Sequence, residues 1–459
     1  SSMTEYSMTS FINKSLILPL LVLFSCSNDM LETTNDGTNE IEIFDGPTLS
    51  KIRIDTNGVS IVDEPKISAH LEILEEDEVV EAHQIGIEIR GSSSQMFDKK
   101  SYGFETWDEN GEDLNVELAG FPKEEDWILY GPYSDKSLLR NVIIYELSNE
   151  MGQYASRTAL YNLEINDVFL GTYVLMEKIK RDKNRVAISK NKEEDITGGY
   201  ILKIDKPTGD GDWYNESIAF GSQYSTEGIT TTTPKISFLY EYPDSDDINT
   251  EQKQFIQNYI HSFETALTSV EFTSSELGYR QYIDVDSFID FFILNEISKN
   301  PDGFRLSTFM HKEKGEKLKM GPIWDFNIAF GNVDYCNGNS SIGWAHRFND
   351  ICPNDTWLVP FWWNRLLEDP EFVSALQLRW NSLRSDILVS EKILSRVEEL
   401  KSELENKNAI NRNFGKWLIL GKYIWPNAFV GDSYSSEVNY LKDWISERLN
   451  WMDQAINSL

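Results

Sequence analysis

Residues 300–332 read NPDGFRLSTFMHKEKGEKLKMGPIWDFNIAFGN. Phe304, Leu306, Thr308 and Met310 fall on alternate positions, as they do on a half-buried strand. The polar run Lys312-Glu313-Lys314-Gly315-Glu316 follows, and Leu318 and Met320 resume the alternation. This pattern predicts a β-hairpin turning near Lys314. Asp302 and Asp325 flank it, and the turn lies midway between them. Equal arms would return both carboxylates to one open end, about 5–10 Å apart, one or two strand spacings. Paired carboxylates at such an edge hold a divalent cation, split acid and base roles, or share base and metal work in phosphoryl transfer. The bland alternative is that Asp302 caps a turn and Asp325 pairs with a core arginine.

The flanks extend the pattern. Ile52-Arg53-Ile54-Asp55 and Ile85-Gly86-Ile87-Glu88-Ile89-Arg90 alternate with period two, and the turn Gly91-Ser92-Ser93-Ser94 leads to Lys99-Lys100-Ser101-Tyr102-Gly103-Phe104. Leu138, Leu139, Val142, Ile143, Leu147 and Met151 recur at three and four, the spacing of a helix that Gly152 ends. A second hairpin turns at Asn166-Asp167, and Gly198 to Asp205 reads as one more strand. Residues 206–250, rich in Gly, Thr, Ser and Asp, are expected to be an insertion or flexible segment. Beyond them helical spacing dominates, with Asp284 or Asp286 capping a helix through Phe288, Phe292 and Ile297. The expected organisation is a β-rich unit over 41–205, the segment 206–250, and a helical unit over 251–459 that carries the hairpin 302–325.

Composition narrows the function. The 459 residues include 42 Lys and Arg against 75 Asp and Glu, a formal charge of −33. Such acidity disfavours a nucleic-acid partner, whose phosphates require surplus cations. Lys14 followed by nine apolar residues, Leu16 to Phe24, is too short to span a bilayer and reads as a secretory signal over 1–25. Leu23-Phe24-Ser25-Cys26 resembles a bacterial lipobox, with Cys26 as the lipidated residue and 26–40 as a polar tether. The expected location is the bacterial envelope, periplasmic or outward-facing, held to the membrane through the lipid alone. Cys336 and Cys352 remain, to be read either as a disulfide in an oxidising compartment or as two free buried thiols. With five histidines and no CxxC or HExxH, a zinc site is disfavoured. Trp344, Trp357, Phe361, Trp362 and Trp363 invite a sugar-stacking reading, but beside Leu366 and Leu367 they read better as core.

Several segments together resemble the spore coat protein CotH family: Arg90 to Ser94, Lys99 to Tyr102, Leu139-Arg140-Asn141, Leu170 to Ile179, and Gly321 to Asn332. The resemblance runs in order over residues 45–455. It implies an α+β, kinase-like bilobal fold, with a β-rich N-terminal lobe and a mostly helical C-terminal lobe. It also implies ATP with Mg²⁺ or Mn²⁺, and phosphate transfer to serine or threonine of secreted or surface proteins. By the same resemblance Asp302 is the catalytic carboxylate and Asp325 the metal ligand. Arg90 and Ser93 lie where backbone and side chains meet phosphates, Lys100 matches the phosphate-pairing lysine, and Glu177 falls at the hinge that touches adenine. Lys100 could equally be a solvated strand lysine, and Glu177 could be bridged to Arg140. Two positions depart from the pattern: Asn327 stands where many relatives have a second aspartate, and Ser307 where a kinase-like loop supplies asparagine, so Asp325, Asn327 and Ser307 form a weakened metal set. A fold that has lost catalysis and serves as a surface binding or scaffold protein is the main alternative. A polysaccharide hydrolase using Asp302 and Asp325 as acid and base is the other.

Overall fold

Strands β1 (Lys51–Asp55), β2 (Ile67–Glu75), β3 (Glu78–Arg90) and β4 (Ser101–Trp107) follow one another as antiparallel neighbours. They bury alternate residues, as at Ile52 and Ile54. A small ribbon, β5 (Val116–Leu118) and β6 (Phe121–Glu124), precedes β7 (Asp126–Tyr130). Helix α1 (Arg140–Glu150) comes next, then β8 (Thr158–Ile165) and β9 (Val168–Glu177). β1 pairs with β8 in parallel and so closes a seven-stranded barrel in the order β1-β2-β3-β4-β7-β9-β8. Its interior is filled by Ile, Leu and aromatic side chains such as Ile87, Phe104, Trp127 and Tyr173, which leaves no room for a ligand. The computed structural model describes residue 44 and residues 46–207 and 216–459. The expected signal segment 1–25, Cys26 and the tether 26–40 lie outside the described residues.

A second sheet has the order β11-β12-β10-β13-β14. Its strands are β10 (Tyr200–Ile204), β11 (Ala219–Gly221), β12 (Ser237–Tyr242), β13 (Thr308–Lys312) and β14 (Leu318–Met320). Two expectations change here. The strand ending at Asp205 belongs to this sheet and not to the barrel, because Ile204 pairs with Thr308 and Tyr200 with Lys312. The stretch 206–250 is not a loose insertion where it is described: Phe220, Phe238 and Tyr240 are buried, and its two strands pair with each other while β12 also pairs with β10. Polar composition concealed them because β11 has three residues and presents little alternation.

The helical part comprises α2 (Thr250–Thr268), α3 (Val285–Ile297), α4 (Phe348–Ile351), α5 (Trp362–Leu366), α6 (Pro370–Arg384), α7 (Ser390–Asn406), α8 (Ala409–Lys416) and α9 (Tyr434–Asn457). Asp284 caps α3 by accepting from Ser287 N–H, the first of the two expected candidates. Nearly every residue of α3 is buried, so it is the central post of this lobe and not an amphipathic surface helix. Trp362 and Trp363 pack against it at 0 and 1% exposure, so with Phe361 they are core, while Trp344 and Trp357 are half-buried. Residues Asp45–Leu459 form one compact unit. Buried polar groups tie its barrel to its helices. Lys99 Nζ donates to the carbonyls of Pro132 and Thr172 and to Asn413 Oδ1 of α8, at 2.6–3.0 Å.

Candidate active site

The hairpin forms in the expected register, with Met310 opposite Met320 and Lys312 opposite Leu318, so its turn spans 313–317. Before it, the loop 298–307 is compact. Phe304 is fully buried, 4.7 Å between ring centroids from Trp363, and anchors the backbone that presents Asp302. Asp302 N–H donates to Asn300 Oδ1 at 3.1 Å, and Asp302 C=O accepts from Leu306 N–H at 3.0 Å. The Asp302 side chain keeps 27% exposure, and its one ion pair is with Arg305 at 3.2 Å. Burial raises its proton affinity, while Arg305 and Lys206 oppose the rise and Asp205 and Asp355 add to it.

Asp325 is held from its backbone outward. Its N–H donates to Tyr145 Oη at 3.1 Å, and the next N–H, of Phe326, donates to Asn141 Oδ1 at 2.8 Å. Both acceptors lie on α1. Arg140, at the start of the same helix, donates to the carbonyls of Ala329 and Phe330 and pairs with Asp135 at 2.6 Å. The Arg140-Asn141 dipeptide and the Trp324 to Phe330 segment, far apart in the chain, are therefore two halves of one contact. Trp324 stacks on Tyr145 at 5.9 Å, and Gly331 at φ +76° lies so near Trp444 that a Cβ would meet the indole at 2.5 Å. Asp325 itself adopts φ +61°, a left-handed conformation uncommon for a non-glycine residue and one that surroundings must enforce. Ser307, also left-handed at φ +45°, donates its hydroxyl to Asp325 Oδ2 at 2.9 Å.

Burial pushes the Asp325 carboxyl up to about 6; the Ser307 hydroxyl and Arg90 lower it, and Asp205 and Asp302 raise it further. The two flanking carboxylates therefore act on one another electrostatically. Asp205, the residue that follows the end of β10 at Ile204, is a third member that the sequence reading placed at a strand end without a role. Arg90, at the end of β3, faces the group. Its guanidinium lies 6.0 Å from the Trp324 ring centroid and has no hydrogen-bond or ion-pair partner among the described residues. Burial lowers its pKa, against Asp325, Glu88 and Glu241.

The other expected residues are distributed differently. Ser93 is exposed in the 3₁₀ turn Ser93–Met96. Lys100 Nζ donates to Gln95 C=O, so it secures the turn after β3 and is not directed at a carboxylate. The Glu177 side chain is fully buried: it pairs with Arg157 at 2.9 Å and Arg185 at 3.5 Å, and accepts from Tyr154 Oη. Its partners are those arginines and not Arg140, and its carboxylate is unavailable to a ligand, so only the backbone there could meet a nucleotide. Asn327 is half-buried two residues past Asp325, and its C=O accepts from Asn332. Cys336 and Cys352 form a disulfide with Cα atoms 5.8 Å apart. Asn141 stood in a segment of the resemblance but without a role, and Tyr145 was missed, because a helical tyrosine and asparagine carry no site signature. Their proximity to Asp325 is wholly tertiary.

A hard cation needs several oxygen ligands. Burial, with Asp205 and Asp302 adding to it, disfavours the ionised Asp325 carboxylate, and a divalent ion beside it would offset that penalty. The neighbouring carboxylates Glu124, Glu125 and Asp126 are a different case: Lys180 Nζ lies 2.9, 2.5 and 2.7 Å from them and already meets their charge.

A barrel lobe, a helical lobe and a carboxylate hairpin at their junction define an α+β fold of the kinase-like class. More specifically, the chain belongs to the family described as CotH kinase protein, which matches residues 87–452. Among solved structures it is similar to a proinflammatory kinase of Helicobacter pylori, CtkA, at 9% identity and a TM-score of 0.25, over 75% of this chain and 94% of that one. No curated protein matches.

Proposed function

We propose that this chain transfers the γ-phosphate of ATP to a serine or threonine hydroxyl of an exported or surface protein. The observation that supports the reading most is the junction itself: Asp302 and Asp205 act on Asp325, and Arg90, whose guanidinium lies over Trp324 with no hydrogen-bond or ion-pair partner among the described residues, faces them. Asp302, anchored by Phe304 and still 27% exposed, orients the acceptor hydroxyl and accepts its proton. Arg90 meets phosphate oxygens, for which a planar guanidinium is suited. Asp325, with Asn327 and Asp205, would hold Mg²⁺ or Mn²⁺, which supplies charge neutralisation to the transferring group. Ser307 fixes the Asp325 carboxylate by donating to it.

The amide at Asn327 favours a second reading, a nucleotide-binding scaffold without transfer, and Asp205 counters it by restoring a carboxylate. The disulfide supports an oxidising compartment, and with it the proposal of an envelope protein anchored through Cys26. One experiment separates the readings. Wild type, Asp302→Ala and Asp325→Ala are compared for Mg²⁺-dependent ATP binding and for transfer from labelled ATP to itself and to envelope extracts. Transfer lost in both variants, with binding retained in Asp302→Ala, supports the kinase. Binding without transfer in wild type selects the scaffold, and sugar release from glycans without ATP selects the hydrolase.

A further inference from the structure

We propose that Arg305 is a positioning residue for Asp302, and that the disulfide-closed segment 336–352, with Asp355 and Trp357 after it, is what holds Arg305 in place. This deepens the kinase reading and rests on it for its catalytic meaning.

Arg305 is 3% exposed and every face of its guanidinium is engaged. Nε donates to Pro301 C=O at 2.7 Å, beside Asp302 in the chain. Nη1 donates to Trp357 C=O at 2.9 Å and to Asp355 Oδ1 at 3.3 Å. Nη2 donates to Asp302 Oδ1 at 3.2 Å. Phe348 closes the remaining side, its ring centroid 3.9 Å from the guanidinium carbon. A planar fork fixed at three corners cannot swivel, so the Asp302 carboxylate it grips has one orientation. Oδ2 has no hydrogen bond among the described residues and is left for an acceptor hydroxyl.

The anchors belong to a segment that little regular structure supports. Phe348 begins the single turn α4, and Cys352 N–H donates to Phe348 C=O at 2.9 Å. Asp355 N–H donates to Cys352 C=O at 3.1 Å, and Trp357 N–H to Asp355 Oδ1 at 2.8 Å. The bond from Cys352 to Cys336 closes this run onto the loop that Lys299 grips through the carbonyls of Asn337, Ser340 and Ile342, at 2.7–2.9 Å. Lys299 lies three residues before Asp302. The Asp302 loop is thus clamped at Lys299 and at Arg305 by two parts of one disulfide-closed segment.

The test uses the full chain with Arg305→Gln, Asp355→Asn and the double variant Cys336→Ala, Cys352→Ala. Misplacing a reacting group by about 1 Å costs on the order of a hundredfold in rate. Arg305→Gln is therefore expected to lower kcat for phosphate transfer about tenfold to a hundredfold. KM for ATP should stay within about twofold, and the ATP-binding stoichiometry, which counts folded sites, should stay at one. Asp355→Asn and the cysteine pair should show the same split, severalfold in size. A crystal structure of each variant should show Asp302 in a changed or multiple orientation, and this readout stands whether or not wild type transfers phosphate. Wild type inactive with Asp302 displaced in the variants would sink the kinase reading and keep the clamp. Asp302 unmoved in Arg305→Gln, or kcat and KM unchanged, would overturn the clamp. Should Arg305→Gln fail to fold, Asp355→Asn and the cysteine pair decide by the same criteria.

Discussion

Substituting Asp325 by Asn should make the metal-free protein more stable, by an amount set by pH. The carboxyl's ordinary value is 3.8 and the folded site pushes it up to about 6, chiefly through burial. Below pH 3.8 the group is protonated in both states, and the substitution changes no charge. Between 3.8 and 6 the unfolded chain ionises while the folded one resists, so wild-type stability falls as pH rises. Above 6 the penalty is complete. Two units at 1.36 kcal/mol each give about 3 kcal/mol as the ceiling, and solvent reaching the half-buried group reduces that to about 1–3 kcal/mol. Asn keeps the Ser307 hydrogen bond and tolerates φ +61° at least as well as Asp. For 459 residues, 1 kcal/mol corresponds to about 1 °C in Tm. Calorimetry in chelator should therefore show Asp325→Asn melting about 1–3 °C above wild type at pH 8, with the gap closing by pH 4. Adding Mg²⁺ and a non-hydrolysable ATP analogue at a hundred times its Kd should raise wild-type stability by about 2.7 kcal/mol and leave Asp325→Asn far behind. A variant no more stable than wild type at pH 8, or a gap independent of pH, would refute the electrostatic reasoning.

Arg90→Gln should abolish ATP binding without lowering Tm, because the guanidinium has no hydrogen-bond or ion-pair partner among the described residues, only the Trp324 ring 6.0 Å away, and its desolvation is removed; isothermal titration and thermal melts check both halves. Asn141→Ala leaves the Phe326 N–H without an acceptor in the interior, and should cost about 1–3 kcal/mol by denaturant titration while weakening Mg²⁺-dependent ATP binding. Glu177→Gln removes the buried charge that pairs with Arg157 and Arg185 and should cost about 3 kcal/mol, with ATP affinity of the folded protein unchanged if the glutamate is structural; a loss of affinity at equal stability would restore it to the site.

How legible the chain was depends on the range of each interaction. The hairpin was readable because alternation and turn residues are local, and the return of Asp302 and Asp325 to one end followed from equal arms. The α3 cap at Asp284 was equally local. Closure of the barrel through a parallel β1–β8 pair was not readable, since more than a hundred residues separate those strands and neither carries the other's register. Lys100 and Glu177 show the limit of transferring roles by position. Both lie on the expected strands or at their ends, yet a carbonyl and two arginines take their charges. Asp205 was in view as a strand terminus and gained meaning only because β10, which it follows, pairs with β13 and so brings it into the field of Asp325.

Helix α1 is the support of the Asp325 loop. A loop in left-handed backbone needs outside support, and here the N–H groups at Asp325 and Phe326 are accepted by Tyr145 and Asn141, while the carbonyls at Ala329 and Phe330 accept from Arg140. Nearly the whole backbone cost of presenting Asp325 is thus met by one helix face. That helix is followed by β8 and β9, which with β1 and β7 complete the barrel, so barrel formation and loop conformation are coupled through α1. The same coupling fixes Asp325 in a place that disfavours its charge, because the backbone bonds hold the residue where burial raises its proton affinity. A cation with its phosphates relieves that situation better than any rearrangement of the protein would.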